Sequence, residues 1–114
     1  MGSATTQALV ATTGALRAQT AVNLDTAREL FAAARIVGES SHLSGALADP
    51  SASPQSRANL VGSIFGPTFQ PQAVAVLTVA VQQRWSSASD LVDAIEEVAV
   101  RAAALGSPEV DVEG

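Results

Sequence analysis

The chain contains no cysteine and no lysine. Without thiols, disulfides, thiol catalysis and Cys-ligated zinc are excluded. Without lysine, all positive charge rests on six arginines, set against eleven acids for a net charge of −5. Three of those acids, Glu109, Asp111 and Glu113, stand in the final stretch, so the remainder is close to balanced. No basic patch is available to neutralise phosphates, which argues against nucleic-acid binding. Tyrosine is missing too, and there is one Trp and one His. The longest apolar run is about half the ~20 residues that a membrane-spanning helix needs. The opening MGSATTQALV lacks the basic and apolar regions of a signal peptide. A soluble, intracellular protein without direct membrane insertion is expected.

What the sequence has in quantity is alanine, 23 of 114 residues. Alanine favours helices and lets their axes approach closely. No segment alternates as a strand between hairpin turns, so the expected class is all-α. A first helix is expected from Ser3 to about Thr20, with a narrow stripe of Ala8, Leu9, Thr12 or Thr13, and Leu16. Gly14 in its middle costs roughly 1 kcal/mol of propensity against alanine. The narrow stripe leaves a small-residue surface open. Asn23 is placed to cap a second helix. Leu24, Ala27, Leu30, Phe31, Ala34 and Val37 would form its buried stripe, with Arg35 in the last turn and Gly38 just past the end. Ser40 or Ser41 caps a short third helix that stops before Asp49-Pro50. Ser53-Pro54 opens a fourth, lined by Ala58, Val61, Ile64 and Phe65 with Leu60 beside them, and Gly66-Pro67 ends it.

The stretch Phe69 to Ser86 predicts the central, fifth helix. From Ala73 to Val81 its only polar side chain is Thr78, so neighbours must cover nearly every side of it. Its four β-branched valines allow a buried strand; Pro71 at the start and the added length of Gln82, Gln83 and Arg84 favour a helix. Positions 74, 77, 78, 81 and 85 share one face. Ser86 to Ser89 offers caps for a sixth helix, with Asp90 and Asp93 in the first turn. Leu91, Ile95, Val98, Ala102 and Leu105 mark its buried side, and Glu97 pairs with Arg101 at i,i+4. Gly106 ends it. Residues 1–105 thus predict a compact six-helix bundle, and 106–114 an acidic, disordered tail or linker.

Catalytic chemistry has little to work with. His42 has no second ligand or base near it and reads as a surface residue. Asp93, Glu96 and Glu97 read as neighbours on an exposed face, and the serine-rich breaks as caps without a base to activate them. The glycines are scattered, so no phosphate loop forms. No catalytic residue, metal or cofactor is expected. Trp85 has two readings: closing the end of the fifth helix against Leu91 and Ile95, or anchoring a partner.

In this order, the features resemble the N-terminal domain of the F-type ATP synthase delta subunit, the family of the oligomycin-sensitivity-conferring protein. The resemblance is carried by Ala27 to Gly66, with Leu43, Leu47, Asp49 and Pro50 in an L-x-x-x-L-x-D-P turn. It continues from Phe69 to Ala104, where Arg84 to Leu91 (RWSSASDL) is similar to actinobacterial members, as is the opening Gly2 to Leu9. It implies a six-helix bundle that crowns the catalytic head as a non-catalytic connector of the peripheral stalk, supporting proton-driven ATP synthesis. The implied partner is the N-terminal helix of an alpha subunit, held in a groove between helices one and five. The groove residues would be Leu9, Thr12, Thr13 and Leu16 on helix one, and Val74, Leu77, Thr78 and Val81 on helix five. The family's second domain meets the b subunit of the stalk, and this chain is expected to be the first domain by itself. The implied location is cytoplasmic, peripheral to the inner face of the plasma membrane. The competing expectation is an unrelated small adaptor binding an amphipathic helix elsewhere; a small-molecule-binding bundle would need convergent polar groups that the sequence does not supply.

Overall fold

The computed structural model describes residues 3–19 and 22–106. The six expected helices are present: α1 (Ser3–Ala18), α2 (Leu24–Glu39), α3 (Ser41–Leu47), α4 (Pro54–Phe65), α5 (Pro71–Gln82) and α6 (Ala88–Gly106), and the described residues contain no strand. The expected acidic tail lies, apart from Gly106, outside the described residues. The most extensive helix contact is α2 on α6, followed by α4 on α5 and α1 on α5.

Short-range chemistry sets most of the starts. Asn23 accepts from the Thr26 N–H at 2.9 Å, and the Thr26 hydroxyl reciprocates toward the Asn23 N–H. Ser40 caps α3 through Leu43 N–H, and Ser53 caps α4 with Pro54 in the first turn. Ser87 accepts from Asp90 N–H at the start of α6. Helix α5 begins at Pro71 after Gln70, whose side chain makes no cap bond. The acceptor comes instead from α2: the Glu29 carboxylate takes the Gln70 N–H at 2.9 Å, and the Thr26 hydroxyl donates to Gln70 Oε1 at 3.0 Å. A carboxylate at a helix N-terminus also answers the positive end of the macrodipole.

Several boundaries and faces differ from the sequence reading. Gly38 does not end α2, which runs on to Glu39 and leaves Arg35 outside its last turn. A Cβ on Gly38 would stand 3.3 Å from Val92 Cγ1, so the glycine serves the close packing of α2 on α6. The buried face of α2 is Thr26, Ala27, Leu30, Ala33, Ala34 and Val37. Leu24 and Phe31 lie at its rim, 42% and 43% exposed, because the small residues bring the neighbouring helix near. Leu105 on α6 is likewise 57% exposed, and Ala94 and Ala99 join the core beside Leu91, Ile95, Val98 and Ala102. Helix α5 stops at Gln82; Gln83 is extended, and Arg84, Trp85 and Ser86 lie beyond the helix. Its buried face is Ala73, Val76, Leu77, Ala80 and Val81. Residues 72–83 include no exposed residue, so the expectation of cover on nearly every side holds. That cover comes from α1, α2, α4 and α6.

Candidate functional site

The eight candidate groove residues divide by burial. Thr12, Leu16, Leu77 and Val81 are fully interior, at 0–1% exposure. Thr12 even returns its hydroxyl to the Ala8 carbonyl at 2.8 Å, which satisfies it without a partner. Leu9, Thr13, Val74 and Thr78 are half-buried and reach the surface. On α5 the surface strip is Val74, Ala75, Thr78 and Val79. It carries no charge, and the Thr78 hydroxyl is spent on the Val74 carbonyl at 2.7 Å. The strip therefore presents methyl groups.

On α1 the candidates face another way. Thr13 and Leu16 line a depression with Arg17, Arg101, Ala104 and Leu105. An adjoining depression is formed by Leu9, Val10, Thr13, Gly14, Arg17 and Arg101. The opposite wall is thus the C-terminal end of α6, and none of the four α5 candidates lines either hollow. Val10 is 68% exposed here. Arg101 is held by Glu97 at 3.0 Å, as its spacing predicted.

Trp85 resolves toward the structural reading. It is 5% exposed and its indole N–H donates to the Ala80 carbonyl at 2.8 Å. The sequence reading passed over Arg57, which is 6% exposed inside the fold. Its Nε donates to the Val81 carbonyl, Nη1 to the carbonyls of Asp49, at 2.8 Å, and Ala52, and Nη2 to that of Gln82 at 3.4 Å. The final carbonyls of α5 are therefore all met: Val79 by the Gln83 side chain, Ala80 by Trp85, Val81 and Gln82 by Arg57. A cation at a helix C-terminus also suits its dipole. The signal was available, since Arg57, Val61 and Phe65 recur every four residues on the apolar stripe of α4. Beside it, the hydroxyl and N–H of Ser51 hold the Asp49 carboxyl below its ordinary range, and the Arg57 charge adds to this.

No group of acids and histidine that could hold a metal exists among the described residues, and His42 is exposed. No helix of the described residues is long and apolar enough to cross a membrane. Buried polar chemistry here goes into fastening helices to each other through Arg57 and into satisfying Thr12 and Trp85 within their own segments. The class so defined is a small all-α helical-bundle domain.

No family model matches the chain. It is 40% identical over 109 residues to the ATP synthase subunit delta of Leifsonia xyli subsp. xyli, across 95% of this chain and 41% of that relative. It is 43% identical over 76 residues to the same-named subunit of a Parafrankia species, across 67% of this chain and 27% of the relative. An Arthrobacter relative of that name matches at 34% over 100 residues. The chain belongs to the delta-subunit family of the F-type ATP synthase, as its N-terminal domain. It spans about two fifths or less of the length of these relatives.

Proposed function

We propose that this domain is a non-catalytic connector of the ATP synthase peripheral stalk that docks the N-terminal helix of an alpha subunit. The observation that carries this reading is the uncharged, half-buried strip Val74, Ala75, Thr78 and Val79 on α5, in a chain related to delta subunits. An amphipathic helix laid on such a strip buries apolar residues spaced i, i+3, i+4 and i+7. Val74 and Thr78 are the α5 contacts. Leu77 and Val81 hold the strip from beneath. On α1, Leu9 and Thr13 turn toward α6, so the wall nearer α5 falls to Ala11 and Ala15 across the helix from them. Both are half-buried.

In this role the domain works at the cytoplasmic side of the plasma membrane and supports proton-driven ATP synthesis by resisting torque rather than by chemistry. The b subunit is reached through a second domain. Titration of the alpha N-terminal peptide into the labelled domain tests the docking. Amide shifts should concentrate at Val74 to Val79. No binding at millimolar peptide, or shifts confined to α2 and α6, would sink it.

A further inference from the structure

A separate hollow lies at the C-terminal end of α5. Its volume is about 170 Å³, and its wall includes Pro50, Pro54, Arg57, Gln82, Arg84 and Trp85. The lining holds two arginines and no acid, in a chain whose net charge is −5. Pro54 is the first residue of α4, so the positive end of that helix adjoins the hollow as well. The strip from Val74 to Val79 contributes nothing to it.

The two arginines stand in different settings. Arg57 is 6% exposed, yet it is in no ion pair among the described residues. Asp49 turns its carboxylate to Ser51 and gives Arg57 only its backbone carbonyl. A buried cation without a counter-ion retains part of its desolvation cost, which an anion beside it would offset. A guanidinium has five N–H donors. Those of Arg57 reach four carbonyls: Nε that of Val81, Nη1 those of Asp49 and Ala52, and Nη2 that of Gln82 at 3.4 Å. One hydrogen of Nη2 is left without an acceptor among the described residues. Arg84 is exposed and in no ion pair among the described residues, so its whole fork is available. A tetrahedral oxyanion suits such a pair, since one oxygen meets the inner N–H while others face the outer fork. A carboxylate has both oxygens on one side and serves only one of the two. Room is ample, because a single water needs only about 10–15 Å³.

We propose that this hollow binds a tetrahedral oxyanion, inorganic phosphate or the head of a phosphomonoester, between Nη2 of Arg57 and the guanidinium of Arg84. This goes beyond the docking role and uses none of its residues. Titrations of phosphate, phosphoserine and acetate into the isotope-labelled chain, at constant pH and ionic strength, test it. Phosphate should shift the Arg57 Nε–H signal and the amides of Arg84 and Trp85 saturably, and acetate should not. Parallel shifts with phosphoserine support a site for phosphomonoesters, and shifts with phosphate alone support a site for the free ion. Arg84→Ala should weaken binding about tenfold or more with the bundle still folded. Arg35→Ala, which removes the same charge from the exposed face of α2, should leave binding unchanged. The absence of any shift, or shifts still linear at tens of millimolar phosphate, overturns the proposal. So does an equal response to acetate, or an equal loss in Arg84→Ala and Arg35→Ala, because each means charge attraction without a site. Phosphate affinity that Arg84→Ala leaves intact overturns it as well.

Discussion

A Cβ on Gly38 would lie 3.3 Å from Val92 Cγ1, which makes these two residues the gauge of how closely α2 and α6 approach. Gly62 in α4 has the opposite setting, with open space around the added atom. Gly62→Ala should therefore raise stability by about 0.5–1 kcal/mol, the helix-interior difference between the two residues. Gly38→Ala should gain less, since Val92 has to yield, and Gly38→Leu should lose stability outright. Urea unfolding of the three variants checks this order. An equal gain for both alanines would mean that the α2–α6 approach is not held by that contact.

Arg57 offers a sharper test. Removing it strands carbonyls from two separate segments in a buried setting, at a cost of about 1–3 kcal/mol for each unsatisfied group at most. Arg57→Met should cost roughly 3 kcal/mol in all, near the range for breaking a buried charged network. Arg57→Lys should rescue little, because an ammonium does not reproduce the planar fork. Arg84→Ala, at an exposed site just beyond the end of α5, should stay within about 0.5 kcal/mol. Chemical denaturation of the four chains compares them directly.

Leu77 and Val79 separate folding from docking on one helix. Leu77 is 1% exposed, so Leu77→Ala should cost about 2–5 kcal/mol and Leu77→Asp should unfold the domain. Val79 reaches the surface; Val79→Asp should keep the circular dichroism of a folded bundle yet weaken binding of the alpha peptide. A folded Leu77→Asp protein would place residue 77 outside the core.

Acid stability should report on Asp49. Its folded-state pKa is lowered from 3.8. The contribution is complete above the unfolded-state value and is lost as pH falls through the lower folded-state value. Asp49→Asn should therefore reduce the difference in stability between pH 5 and pH 2. An unchanged acid limb in thermal melts would show that the Ser51 contacts are not maintained in solution.

The caps were legible because they are local: Asn23, Ser40 and Ser53 each answer a backbone N–H three residues on. Helix faces were legible only to within part of a turn. Spacing arguments weigh large side chains, and so placed Leu24, Phe31 and Leu105 inside. With alanine so frequent, the closest contacts instead favour Ala33, Ala94 and Ala99, and the large residues move to the rim. The end of α5 was set too late because Gln83 and Arg84 are good helix formers, whereas Arg57, Trp85 and the Gln83 side chain close the helix from outside it. Of the candidate site, the α5 strip was within reach through Val74 and Thr78. The orientation of α1 was not, since its stripe is too thin to say which neighbour lies on which side.

Helix α5 is fixed at one end by an acid from α2 and at the other by a base from α4. Packing between small apolar side chains resists separation well but resists sliding and axial rotation poorly, because one alanine surface resembles the next. Charged groups bonded to particular backbone atoms behave differently. To advance by one residue, α5 must break from Glu29 and Arg57 together. The helix that runs through the middle is thus keyed in register at both ends, and a load applied along it passes into α2 and α4 as tension on hydrogen bonds rather than as slip.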